Sequence, residues 1–497
     1  MQQAPLPRLR TGIPGFDVLV GGGLIEGTSI IIQGRPGSGK TILANQIAFH
    51  HASQGGRVLC ATVLAEPHER LFQFLSTLSF FDRERVGVDI QYVSAFDTLR
   101  SGGLAAVVAL LRREIIRHRA TLMLVDGLLT ARGAAETALD TKMFVAELQG
   151  HAAFAGCGVL FLTSALLDDG SPEHTMVDGV VELAEQIGVA RSSRWLTLRK
   201  TRGTAAIGGR HEFEIGADGV VVHPRLEALL GFSPEAAEMS NPTPEELTAE
   251  LAADRRTPRV NVAIEGFDHL LGGGLPCGSG TLIASPSGGG KTLASLCFLA
   301  GSTLAEPGLM VGFFEPPVRL VRKGEAVGLP IARLAGSGAL RFLHCGLAVR
   351  SIDAIGHEIL TAVFDYGIKR IVIDSAGALF RIASNPGRVV EFFFALTSVL
   401  RQRGVTVLTT WETPDMTGST STAVISTDAA SGAQGGLWSS QIYSSCDNLL
   451  SVHFDDRGGV LRRILRVQKM RDSHYDPQQR ELQIASDGLR LVTTAAL

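Results

Sequence analysis

Residues 34–41, Gly-Arg-Pro-Gly-Ser-Gly-Lys-Thr, are the part of this chain whose types and spacing specify chemistry most directly. The segment satisfies G-x-x-x-x-G-K-[ST] in full, follows an apolar run at 29–33 and opens a helix-like stretch over 41–51. Gly34, Gly37 and Gly39 let the backbone wrap an anion, with Arg35, Pro36 and Ser38 between them. Successive N–H groups then point inward, and the following helix adds the positive end of its dipole. Lys40 is expected to reach the β and γ phosphates of a nucleotide, and Thr41 to offer its hydroxyl to Mg²⁺. A second segment, Ser285-Pro286-Ser287-Gly288-Gly289-Gly290-Lys291-Thr292, keeps the Gly-Lys-Thr end but has serine in place of the first glycine. That position closes a tight turn, which serine tolerates if its φ is negative. Nucleotide binding is expected here too, with weaker hydrolysis.

Two kinds of carboxylate accompany the loops. Asp126 ends the run Leu122–Val125, and Asp374 ends Arg370–Ile373. An aspartate there helps hold Mg²⁺ or caps a following helix; its recurrence behind both loops favours the metal. Glu66 before Pro67, and Glu315 before Pro316, stand where a glutamate can cap the helices that follow.

These groups recur because the chain is an internal repeat. Gly15-Phe16-Asp17 matches Gly266-Phe267-Asp268, and Gly21–Leu24 matches Gly272–Leu275, each pair 251 positions apart; Lys40 and Lys291 keep that offset. A unit this long is a whole domain. Polar, proline-bearing residues 231–258 separate the copies, with one short helix expected from Thr243; the domains are placed at 1–230 and 259–497. Strands are expected at 29–34, 57–63, 121–127 and 158–164, and at 280–286, 308–314, 370–375 and 404–410. Runs apolar on both faces, alternating with helical stretches, predict a parallel sheet covered on both sides. Late segments around 194–223 and 461–492 predict antiparallel hairpins closing each sheet.

Composition narrows the partners. A net charge of −3 and 6% aromatics give no global pull toward nucleic acid, and no basic tail or accessory DNA module is evident. Six scattered cysteines show no metal spacing and predict free thiols in a reducing compartment. No apolar leader or membrane-length run stands out, so a cytoplasmic location without membrane attachment is expected.

Taken in order, the G-[IV]-x-G-[FL]-D leader, the phosphate loop, the Glu-Pro element and a late K-x-R strand end resemble the KaiC branch of the RecA superfamily. The second copy departs at Ala263 and Ser285. The resemblance implies two tandem RecA-like P-loop NTPase domains, each a mostly parallel sheet flanked by helices with a C-terminal antiparallel hairpin. It implies a homo-oligomeric, six-membered ring holding ATP and Mg²⁺ between neighbours, with Lys200 and Arg202, and Lys469 and Arg471, reaching the adjacent subunit's phosphates. Family members commonly carry two adjacent glutamates, one of which polarises the attacking water or hydroxyl; each copy here has one, so the resemblance makes Glu66 and Glu315 the candidates to position the nucleophile and implies slow turnover. The implied function is a slow ATPase whose nucleotide state controls ring assembly and binding of an unidentified signalling protein. A Ser/Thr autokinase acting near Tyr443, Ser444 and Ser445, a DNA motor (disfavoured by the acidic balance) and a nucleotide-sensing scaffold are the alternatives.

Overall fold

The computed structural model describes residues 6–64, 67–133, 137–164, 171–187, 192–232, 258–346, 350–383, 385, 387–413, 441–457, 459–471, 473–486 and 488–493. The chain divides into two compact units, Met1–Phe232 and Ser233–Leu497. The helix Leu226–Phe232 runs two residues past position 230, and the short helix expected from Thr243 lies outside the described residues.

The first unit opens with a ribbon of β1 (Arg8–Leu9) against β2 (Leu24–Ile25). Its main sheet is built from β3 (Ser29–Gly34), β4 (Val58–Thr62), β5 (Ile90–Ser94), β6 (Leu122–Asp126), β7 (Gly158–Thr163), β8 (Gly179–Ile187), β9 (Ser192–Thr201), β10 (Arg210–Gly216) and β11 (Gly219–His223). The nine strands lie in the order β11-β10-β9-β8-β3-β7-β6-β4-β5. From β8 to β5 every neighbouring pair is parallel, and from β8 to β11 every pair is antiparallel.

Two-sided burial explains the continuous apolar runs. On β3, Ile30 and Ile32 pack with Leu43 and Ile47 of the helix Lys40–Ser53. Ile31 faces the opposite core with Leu111 and Leu148, from the helices Phe96–His118 and Ala138–Phe154. Each such side chain taken from water contributes roughly 1.5–3 kcal/mol, so both faces must be covered.

The second unit repeats the plan. After the ribbon of β12 (Arg259–Val260) and β13 (Leu275–Pro276) come β14 (Gly280–Ser285), β15 (Gly308–Gly312), β16 (Leu340–His344), β17 (Arg370–Asp374), β18 (Thr406–Glu412), β19 (Asn448–Arg457), β20 (Val460–Met470), β21 (Arg480–Ala485) and β22 (Gly488–Thr493). Their order, β16-β15-β17-β18-β14-β19-β20-β21-β22, is the first unit's order element for element. The strands at β5, β8, β16 and β19 were not among those expected. The closing hairpins are therefore part of a four-strand meander whose first member, β8 or β19, runs parallel to the central strand.

The leader also proves to be a structural strap. Arg8 donates from Nη1 to the carbonyls of Val20 and Gly23, both at 2.8 Å, and from Nη2 to Thr204 Oγ1 at 2.8 Å. Arg259 repeats this toward Leu271 and Gly274 (2.9 and 2.7 Å) and Ser473 Oγ (2.5 Å). Asp17 accepts from the Thr11 amide and hydroxyl at 3.0 and 2.7 Å, and Asp268 from the Val262 amide at 3.1 Å. All six cysteines are free. Among the described residues no helix is long and apolar enough to cross a membrane.

Candidate functional site

Both glycine-rich loops leave the carboxyl end of the central strand and enter a helix, Lys40–Ser53 in one unit and Lys291–Ala300 in the other. Gly39 and Gly290 precede these helices at φ 97° and 94°, a left-handed conformation that strains any other residue. A one-turn bond closes each loop at equivalent places, Ser38 N to Arg35 O and Gly289 N to Pro286 O, both 3.2 Å.

Ser285 does not break this geometry. It is not among the described residues with positive φ. Its fully buried hydroxyl donates to Pro286 O at 3.0 Å and lies where a Cβ on Gly289 would fall, 1.7 Å away. In the first loop the arrangement is reversed: a Cβ on Gly34 would lie 2.6 Å from the buried Ser38 hydroxyl. Serine has moved from the fifth loop position to the first, and glycine has moved the other way.

The lysines behave alike. Lys40 Nζ donates to the carbonyls of Gly34 and Arg35, both at 2.9 Å, and Lys291 Nζ to those of Ser285 and Pro286, both at 2.7 Å. Burial pushes the Lys40 ammonium below the ordinary lysine range, and Asp126 opposes the shift. In both copies the lysine is thus arched back over the start of its own loop.

Asp374 accepts from Thr292 Oγ1 at 2.9 Å and from Thr410 Oγ1 at 2.6 Å. The helix after it, Gly377–Ile382, is preceded by Ala376 without a side-chain cap, so Asp374 is not a capping residue. In the first unit Asp126 and Thr41 line one small cavity. The donors are hard oxygens, as Mg²⁺ requires, and two protein ligands suit an ion completed by phosphate and water. No cluster of three or more metal-ligating side chains is present among the described residues.

Beside the second loop is a cavity of about 580 Å³ whose lining includes Gly288 to Thr292, Phe314, Glu315, Lys323, Asp374 and Glu412. Glu315 Oε1 pairs with Lys323 Nζ at 2.5 Å, while its Oε2 is buried without a hydrogen-bond partner. Pro316, not Glu315, precedes the helix Pro317–Glu325. Glu66 lies outside the described residues.

The K-x-R pairs sit elsewhere. Gly34 pairs with Leu183 and Ile30 with Gly179, while Gly179 pairs with Thr201. Lys200 and Arg202 are therefore at the amino-terminal edge of the parallel sheet, and their own phosphate loop is at the carboxyl edge. A bulge on β9, opposite Val180 and Val181, immediately precedes Lys200; a matching bulge opposite Leu449 and Leu450 precedes Lys469. Lys200 Nζ bonds His174 O at 2.7 Å and Arg202 lies 3.7 Å from Asp178. Lys469 Nζ bonds Cys446 O at 2.6 Å, and Arg471 donates to Ser444 O at 3.0 Å. Burial and the adjacent arginine push both lysines downward in pKa, against the pull of Asp178 or Asp447.

Fold and loops together define a tandem pair of RecA-like P-loop NTPase units. The family model described as "ATPase: KaiC" matches residues 9–227 and 260–495, and the chain belongs to the KaiC ATPase family. It is 24% identical to the circadian clock protein KaiC3 of Synechocystis sp. over 98% of this chain and 92% of that one. With the circadian clock oscillator protein KaiC of Rippkaea orientalis it shares 23% over 97% and 88%. A match of 28% to KaiC of Parathermosynechococcus lividus spans 53% of this chain and 47%, about half, of that relative. The family implies ATP binding.

Proposed function

We propose that the chain binds ATP with Mg²⁺ at both loops and hydrolyses it slowly, and that its nucleotide state governs assembly of a six-membered ring and docking of a signalling protein. What carries this reading is the repetition of one set, a lysine over a glycine cradle with threonine and aspartate beside it, at the carboxyl ends of the same strands in both units. The loop amides with Lys40 or Lys291 hold the phosphates. Thr41 with Asp126, and Thr292 with Asp374, hold the metal, which when bound neutralises charge on the transferred phosphoryl group. Glu66 and Glu315 orient the attacking water. Lys200 with Arg202, and Lys469 with Arg471, act on a neighbour's nucleotide, because neither pair can turn to its own loop. A single glutamate per copy makes turnover slow. A cytoplasmic location is part of the same proposal.

The test uses the full chain. Lys40→Ala together with Lys291→Ala should abolish ATP binding by calorimetry and remove turnover, with light scattering no longer showing ATP-dependent assembly. Undiminished hydrolysis in the double variant would sink the proposal.

One observation favours autokinase activity as a second reading. Ser444 and Ser445 end the helical stretch 441–445 before β19, their hydroxyls donating to the Gln441 and Ile442 carbonyls, and the Ser444 carbonyl accepts from Arg471 at 3.0 Å, so the serines stand at the same edge of the sheet as the K-x-R pair. Incubation with γ-labelled ATP followed by peptide mapping decides it; no label between 441 and 447 removes it.

A further inference from the structure

The two copies differ in the helix that follows the Glu-Pro element. Seven residues after Pro316, near the end of the helix Pro317–Glu325, stands Lys323; seven after Pro67, on the helix His68–Leu75, stands Phe74. The Phe74 ring is exposed. Lys323 instead reaches back along its helix, and its Nζ donates to Glu315 Oε1 at 2.5 Å.

Glu315 belongs to the metal side of the second site. Gly312, which ends β15, is the register partner of Asp374 on β17, and a Cβ on Gly312 would lie 3.7 Å from the Glu315 carbonyl. Asp374 in turn accepts from the Thr292 hydroxyl. Thr292, Asp374, Glu315 and Lys323 accordingly line one cavity. Both oxygens of the Glu315 carboxylate are engaged away from it: Oε1 accepts from the ammonium, and Oε2 is buried without a hydrogen-bond partner. A carboxylate that orients a water must bring an open oxygen within about 2.6–3.2 Å of it. To do so Glu315 has to turn, and turning breaks the pair with Lys323.

We propose that Lys323 restrains Glu315 in the second copy, holding the carboxylate off the water it is to orient and slowing turnover at that loop. The inference rests on the hydrolysis reading given above, in which Glu315 orients the attacking water. Lys323 is thus a positioning residue that acts through Glu315. The first copy has Phe74 at that place of the helix, and a phenyl ring cannot hold a carboxylate in this way. The side chains of Lys323 and Glu315 are 46% and 27% exposed, so the restraint is a small factor and not orders of magnitude. Because the pair opens before the water is held, the factor falls on kcat. ATP binding, the work of the loop amides and Lys291, is untouched.

The experiment uses the full chain with Lys200→Ala and Arg202→Ala throughout, which leaves the first loop to bind ATP and support assembly while silencing its turnover. Adding Lys323→Met should raise kcat about three- to five-fold, the worth of one partly exposed ion pair, with KM and ATP affinity by calorimetry unchanged. Lys323→Gln should do the same, and Lys323→Arg, which keeps the cation, should release much less. Glu315→Gln added to Lys323→Met should remove the gain. Chains that bind ATP but do not hydrolyse it, with or without Lys323→Met, overturn the hydrolysis reading at this loop and the restraint with it. Turnover in the parent that neither Lys323→Met nor Lys323→Gln raises overturns the restraint alone. A gain that survives Glu315→Gln, or that Lys323→Arg reproduces in full, overturns it too, since the lysine would then not act by pairing with Glu315.

Discussion

Behind both phosphate loops a serine hydroxyl fills the same space, from position 38 in one copy and from position 285 in the other. The exchange is a matter of van der Waals volume, and it makes a coupled prediction. Gly289→Ser alone adds a Cβ 1.7 Å from Ser285 Oγ, and overpacking of that kind costs about 1–3 kcal/mol. Ser285→Gly in the same chain removes the obstruction and rebuilds the first copy's pattern. A double-mutant cycle, read from urea unfolding and from ATP calorimetry, should show favourable coupling of about 1 kcal/mol or more. The first copy should answer differently. A Cβ on Gly34 also meets the Leu183 carbonyl at 2.3 Å, and backbone cannot rotate aside as a side chain can. Gly34→Ser with Ser38→Gly should therefore stay impaired. Equal recovery in both copies would refute this account of the exchange.

Elements carry the loops to their places, and the leader ribbons hold the far edge of each sheet. The Arg259 guanidinium joins two carbonyls of its own leader to Ser473 in the loop after the K-x-R strand. Losing such charge-assisted bonds while leaving the acceptors part-buried costs on the order of 2 kcal/mol. Arg259→Ala should lower the unfolding free energy by about that amount and speed amide exchange at 473–476. Arg259→Lys should restore little, since one ammonium cannot span both directions of a planar fork. Unchanged exchange in the alanine variant would show that the strap does not hold that loop. Much of this architecture was legible in the chain. Strands such as Ser29–Gly34 and Gly158–Thr163 are buried along their whole length, so their apolar runs announce them. The missed strands have mixed faces. Only Ile90 of the edge strand Ile90–Ser94 is buried, and Gly179–Ile187 ends in exposed Glu185, Gln186 and Ile187. The phosphate loop and the strand-end aspartates could be found from spacing, since their chemistry is local. Lys323 and the arginine straps could not, because their meaning depends on partners brought near by folding; the one available signal was that Arg8 and Arg259 keep the 251-residue offset.

At the scale of the whole molecule, the decisive fact is that each unit holds its phosphate loop and its K-x-R pair at opposite edges of one sheet. Four strand residues separate the Gly34–Leu183 pair from the Ile30–Gly179 pair, or about 13 Å at 3.3 Å per residue. The lysine and arginine at the far edge lie too far from their own phosphate loop to reach it, so the proposed function draws each working site from two chains. This leads to a complementation test with Lys469→Ala and Arg471→Ala in every subunit, which leaves the second loop to bind ATP and support assembly while silencing its turnover. Chains with Lys40→Ala lack the loop but keep the K-x-R pair; chains with Lys200→Ala and Arg202→Ala keep the loop but lack the pair. Each preparation alone should be nearly inactive, since a cation supplied by a neighbour contributes roughly 10³–10⁵ to phosphoryl transfer. Mixed and reassembled with ATP and Mg²⁺, about a quarter of the interfaces in a closed ring should combine an intact loop with an intact pair. Turnover should then rise well above either parent and scale with the product of the two fractions. If light scattering and mass measurement confirm mixed assemblies and the rate stays at the parental floor, the pairs do not act in trans. Full activity in the Lys200→Ala, Arg202→Ala chains alone would show instead that hydrolysis does not need them.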